Sequence, residues 1–128
     1  MVKTNRSLRT MIRAHHLWND TGFELQAGRQ YVLRAKGYWW DAFVRCTATG
    51  YPSPCAWFHP LENRRRAPSS NWFALIGAIG HDLSTVFEIG AALSLTAPRT
   101  GYLSCFANDL PAMYWNNWGA VELTCQPG

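Results

Sequence analysis

Short apolar runs, alternating with polar residues and broken every few positions by Gly, Pro or Asn, leave this chain little choice but to be β. Phe23 and Leu25 alternate with polar neighbours ahead of Ala27 and Gly28, and Tyr31, Leu33 and Ala35 alternate with Val32, Arg34 and Lys36 just after them, a pair of runs that predicts a hairpin turning at Gly28. Residues 73–79 form a nearly continuous apolar run ending at Gly80, as expected of a buried sandwich strand, and residues 86–89 and 93–95 are shorter candidates. Leu103, Cys105 and Ala107 share one face of a strand, and Val121, Leu123 and Cys125 one face of its expected partner, with residues 108–119 as the tip of a last hairpin. Many short strands at this spacing predict an all-β sandwich. Residues 7–16 are expected as a helical turn or an arm, and there is no internal repeat or low-complexity tract.

The 128 residues fit one domain, able to bury about two thirds of its unfolded surface. With 14% aromatics, including seven Trp, and only 16% charged residues, the chain is too apolar to be a disordered segment. No apolar run approaches the roughly 18 residues of a membrane helix, and the N-terminus lacks the apolar segment of a secretory signal. A soluble protein without membrane insertion is expected, cytoplasmic or exported by a non-classical route. The net charge is +4, with Lys and Arg scattered except in the N-terminal stretch and at Arg64, Arg65 and Arg66. Three arginines in a Pro-flanked loop read first as solvated charges, and no nucleic-acid partner is expected, although cationic grooves with stacking rings do bind single strands.

Cys46, Cys55, Cys105 and Cys125 include no C-x-x-C, and His15, His16, His59 and His81 lack zinc-ligand spacing relative to them. Cys46 and Cys55 would close a short loop if the protein meets an oxidising compartment, while Cys105 and Cys125 read as core thiols on neighbouring strands. No nucleophile elbow, phosphate loop or His-Glu-x-x-His pattern is present, so no enzyme is expected.

The chemistry concentrates in residues 106–119, FANDLPAMYWNNWG. Asp109 is followed by the amide pair Asn116 and Asn117. Calcium takes six to eight oxygens at roughly 2.3–2.6 Å from carboxylates, Asn carbonyls, backbone carbonyls and water, and this loop offers several. Adjacent Asn side chains point opposite ways on a regular strand, so if both face one ion the backbone must bend there, helped by Pro111 and Gly119. The alternative is that Asn108, Asn116 and Asn117 are turn residues bonded to their own backbone.

Asn108, Asp109, Pro111, Tyr114, Asn116, Asn117 and Gly119 match, without a gap, the calcium loop of the LecA (PA-I) family of galactose-binding bacterial lectins, which the loop therefore resembles. The resemblance runs from about Trp18 to the C-terminus, weakest over residues 42–70, and divides the chain into an N-terminal arm, 1–17, and a lectin-like domain, 18–128. It implies a jelly-roll β-sandwich of the galactose-binding-domain type holding one calcium ion. Asp109, Asn116 and Asn117 would ligate through side chains, Met113 through its carbonyl, and Asp41 through carbonyl or carboxylate. Two neighbouring sugar hydroxyls would complete the coordination, with Asp109 and Asn116 also facing the sugar. The family's His-Pro segment with a Gln three positions on reads here as His59, Pro60 and Glu62, making His59 and Glu62 candidate sugar contacts. Trp115 and Trp118 replace small residues of the lectin loop, and with Trp39 and Trp40 they either build a stacking platform or fill the pocket. The partner implied is a carbohydrate or glycoconjugate, with association into a homo-oligomer for avidity. The alternative is a non-enzymatic interaction or accessory domain with a purely structural calcium.

Overall fold

Alternation decides how the chain is layered, because a strand with one apolar face must bury that face against a second sheet. The computed structural model describes residues 6–128. Ten strands occur among them: β1 (Leu8–Arg13), β2 (Asn19–Leu25), β3 (Gln30–Lys36), β4 (Trp39–Asp41), β5 (Val44–Cys46), β6 (Leu75–Ile79), β7 (Phe87–Glu88), β8 (Ala92–Thr96), β9 (Gly101–Ala107) and β10 (Asn117–Pro127). One antiparallel sheet runs β5-β4-β10-β3-β8, with β1 on the free edge of β10, and the other runs β2-β9-β6-β7. The result is the expected all-β jelly-roll sandwich. Ile12, Leu25, Leu33, Phe73, Leu103 and Leu123 meet between the sheets with no exposed surface. Each such side chain contributes roughly 1.5–3 kcal/mol of hydrophobic stabilisation.

Residues 73–79 behave as their composition predicts: β6 is buried along its whole length between β9 and β7. The two expected hairpins do not form. β2 pairs with β9, whereas β3 pairs with β10 and β8, so the turn at Gly28 (φ +83) carries the chain from one sheet to the other. Gln26 N donates to the Tyr31 hydroxyl across that corner (2.9 Å). Likewise β9 and β10 lie in different sheets, and residues 108–116 cross between them through the 3₁₀ turn Pro111–Asn116. In both cases the alternating faces are those expected, but they oppose each other across the core instead of lying side by side. Cys105 and Cys125 follow suit: they are buried free thiols on opposite sheets, not neighbouring strands. Burial pushes both thiols up, Cys125 to about 11. Cys46 and Cys55 are also free.

Residues 8–13, expected as a turn or an arm, pair with β10 from Leu8↔Cys125 to Arg13↔Ala120. Ile12 enters the core while Arg9, Met11 and Arg13 face outward. Residues 1–5 of the expected arm lie outside the described residues. Arg65 and Arg66, read as solvated, are buried. Arg66 stacks on Phe106 (3.6 Å to the ring centroid) and Trp18 (4.5 Å) and donates to the Tyr114 hydroxyl and the Leu17 carbonyl. A planar guanidinium can be buried in this way because its faces take aromatic rings while its edge keeps hydrogen bonds. No helix among the described residues is long and apolar enough to cross a membrane.

Candidate metal and ligand site

The crossing from β9 to β10 begins at a residue that is fully committed to structure. Asn108 Oδ1 accepts from Ala67 N (2.9 Å), its Nδ2 donates to the carbonyls of Ala67, Ser70 and Asn71, and its backbone bonds Phe73 and Ala74. Every polar atom of that side chain is used, on residues 67–71 and not on its own turn as the turn-residue alternative had it.

The next residues break that pattern. Asp109 Oδ2, Asn116 Oδ1 and Asn117 Oδ1 are buried without a hydrogen-bond partner among the described residues. Each unpaired buried acceptor costs roughly 1–3 kcal/mol, so three this close in sequence call for a hydrogen-bond donor or a cation. Backbone geometry sets where the two amides stand. Asn116 closes the 3₁₀ turn and Asn117 opens β10, so the bend expected between adjacent amides falls at that boundary. Asn117 sits opposite Asp41 in the β4–β10 register, and Ala42 N donates to the Asn116 carbonyl (3.1 Å). Asn117 Nδ2 donates to the Ala14 carbonyl at the end of β1 (3.3 Å), which sets the amide with its oxygen left free. Asp109 accepts from Leu110 N at its other oxygen (2.7 Å), and Arg66 N holds its carbonyl (3.2 Å).

Burial pushes the Asp109 carboxyl up to about 6; the Leu110 amide pulls it down, the Asp41 charge pushes it up and the Asn117 amide pulls it down. Asp41 Oδ2 accepts a short hydrogen bond from the Tyr51 hydroxyl (2.5 Å), the side chain's other oxygen being left for a second partner. Burial, then that bond, drives the Tyr51 phenol well above its ordinary range. No group of three or more His, Cys, Asp or Glu side chains suited to a metal occurs among the described residues, so an ion here depends on amide and carbonyl oxygens beside two carboxylates. Those are hard donors, suited to calcium and not to zinc.

Asp41, Asp109 and Met113 line a cavity of about 530 Å³ whose other walls are mostly apolar, including Tyr51, Phe58, Leu61, Trp72 and Leu110. Asp41, Asp109 and Met113 thus share one cavity, while Asn117 stands opposite Asp41 in the sheet and Asn116 precedes it in the chain, neither of them a wall residue. The expected sugar contacts are more dispersed. His59 and Glu62 lie on the short helix α1 (His59–Glu62), 4.0 Å apart, and neither is a wall residue, although Leu61 between them is. None of the four tryptophans in question fills the cavity. Trp39 is buried against Phe73, Trp40 stacks on Trp118 (4.2 Å) outside the sheet, and Trp115 is 71% exposed. Trp118 donates from its indole to the Ala42 carbonyl (3.1 Å). Tyr51 and Trp72 enter the site through an isolated bridge between them, a pairing in a loop without periodicity that no local pattern announces.

A hydrolytic centre is not assembled at the His81–Asp20 pair (2.6 Å). Ser104 donates to the Asp20 carboxylate (3.2 Å), not to the imidazole, the reverse of what activating a serine requires.

No family model matches the chain, and no curated protein sequence matches it. Among solved structures it is similar to the N-terminal domain of EclA, described as a PllA-like lectin, with a TM-score of 0.72 over 94% of this chain and 95% of that one at 17% identity. At that identity the likeness establishes the shared sandwich fold.

Proposed function

We propose that this chain is a calcium-dependent carbohydrate-binding protein with a preference for galactose-like sugars. The observation that carries the reading is the trio of buried, partnerless oxygens on Asp109, Asn116 and Asn117 beside a partly apolar cavity. Asp109, Asn116 and Asn117 would hold the ion through their side chains, Met113 through its carbonyl, and Asp41 through its carbonyl or the carboxylate oxygen that Tyr51 leaves free. When bound, calcium offers coordination positions that two adjacent sugar hydroxyls can take over from water.

The chain's own part is to fix the oxygens and to give the sugar a dry wall. Trp72, Leu61, Leu110 and Met113 supply that wall, and apolar sugar surface buried there gains roughly 25 cal/mol per Å². Trp115, His59 and Glu62, outside the cavity wall, would meet parts of a longer glycan. The likeness to a lectin domain supports the reading at the level of fold. Assembly into a homo-oligomer would convert weak single sites into avidity.

Glycan-array binding with and without a calcium chelator tests the proposal. Galactoside binding that vanishes on chelation is expected. Calcium-dependent stability with no glycan bound would instead make this an accessory domain whose ion only fixes the loop.

A further inference from the structure

One lysine and three arginines, far apart in sequence, converge on the outer face of the larger sheet, on the strands that flank β10. Across the row through Thr124 stand Arg9 on β1 and Arg34 on β3; across the row through Glu122 stand Met11 and Lys36; Arg13 lies opposite Ala120. All four cations are exposed, and they sit at alternate positions of their strands, pointing away from the core. Strand spacing of about 4.8 Å puts the Arg9 and Arg34 backbones on the order of 10 Å apart, and the two-residue repeat puts Arg34 about 7 Å from Lys36.

Glu122 is the one acidic side chain on these rows, and it is paired with Lys36 (3.5 Å). Arg9, Arg13 and Arg34 have no ion pair among the described residues. Arg9, Arg34 and Lys36 line a groove of about 450 Å³. Like charges on one solvated face repel weakly even across an intervening strand, and an anion laid between them relieves that cost.

We propose that this face binds a linear anionic polysaccharide, one carrying sulfate or carboxylate groups, at a site separate from the calcium loop. A polysaccharide fits better than the other polyanions. Single-stranded nucleic acid binds by stacking successive bases on several aromatic rings set among the cations. No ring stands on the rows of Arg9, Arg34 and Lys36, where the one large apolar side chain is Met11 and the nearest ring on the β10 face is the single Trp118. A flat sheet face has no helix or ribbon to enter a duplex groove. A lipid surface calls for an apolar set to insert, which Met11 alone does not make. At the far end of the same β10 face stands Trp118, half exposed, able to take the apolar side of a sugar ring.

The test is equilibrium binding of the full chain to heparin over a salt series, with a single-stranded oligonucleotide as competitor polyanion. Arg9→Gln with Arg34→Gln should weaken heparin binding about tenfold at low salt and lower the salt slope by about two, the effect of losing two exposed charge contacts. Arg29→Gln with Arg64→Gln, exposed cations off this face, removes the same charge and should leave binding within about twofold. Glu122→Gln should strengthen binding about twofold, a gain that misfolding cannot imitate. Chelation should change nothing, so this result and that of the calcium site fail independently. Equal loss in both double variants, wild-type binding by the Arg9/Arg34 pair, loss on chelation, or an oligonucleotide that binds as tightly as heparin would each overturn the proposal.

Discussion

Two asparagines of one loop, Asn108 and Asn117, are both buried and have opposite consequences when removed. Asn108→Ala strips three carbonyls and one amide of their partner, so it should cost at least about 2 kcal/mol in denaturant unfolding, equally with and without calcium. Asn117→Ala removes an orphaned oxygen, one long bond to Ala14 and the amide that draws the Asp109 carboxyl down. It should change the metal-free chain little and abolish the calcium-dependent part of its stability. Asp109 adds a pH signature. Its carboxyl lies near 6 in the metal-free chain against about 3.9 unfolded, so folding takes up a proton between those values. The protonated form therefore stabilises the metal-free chain fully below about pH 4, and that contribution, on the order of 3 kcal/mol, is lost as pH rises through about 6. Calcium requires the ionised form, so its affinity should fall as pH drops below about 6, and Asp109→Asn should flatten the metal-free stability profile across that window.

At the scale of elements, the site depends on a loop joining β5 to β6. Gly50, at φ +74, passes so close to the next segment that a Cβ would lie 2.2 Å from the Trp72 carbonyl oxygen and 2.5 Å from Ala74 N. Its neighbour Tyr51 bridges to Trp72 and reaches Asp41. Gly50→Ala should destabilise by more than about 3 kcal/mol and weaken calcium binding in the folded fraction, measured by thermal unfolding and calcium titration, because Tyr51 is displaced from Asp41. Elements were legible wherever apolar spacing decides burial: β6 from its unbroken run, β2 and β3 from alternation. Their partners were not, because alternation reports which face is buried and not which strand lies alongside. The corner at Gly28 and the crossing after Ala107 are turns whose residues suit a hairpin or a sheet change equally. β1 escaped notice because two of its outward positions carry arginine, so only Leu8 and Ile12 mark it as a strand.

At the scale of the whole molecule, the sandwich does what no stretch of sequence does alone. It brings Asp41 to the loop after β9, closes a cavity with residues from three separate segments, and collects Arg9, Arg13, Arg34 and Lys36 on one face while burying Arg65 and Arg66. Oxygen-donor chemistry was legible in residues 106–119 because it is local. The apolar wall was not, since Phe58, Leu61 and Trp72 belong to a region with no period to follow. A site completed by the fold should report on the fold. Calcium at about a hundredfold above its dissociation constant should add roughly 2.7 kcal/mol of stability if the unfolded chain does not bind it, and chelation should remove that increment reversibly.

The most direct test is a crystal structure grown in calcium. An ion within about 2.3–2.6 Å of Asp109 Oδ2, Asn116 Oδ1 and Asn117 Oδ1 is the predicted result. Ordered water in that place, with the three oxygens paired to protein donors, would contradict it and leave a β-sandwich without a metal-borne site.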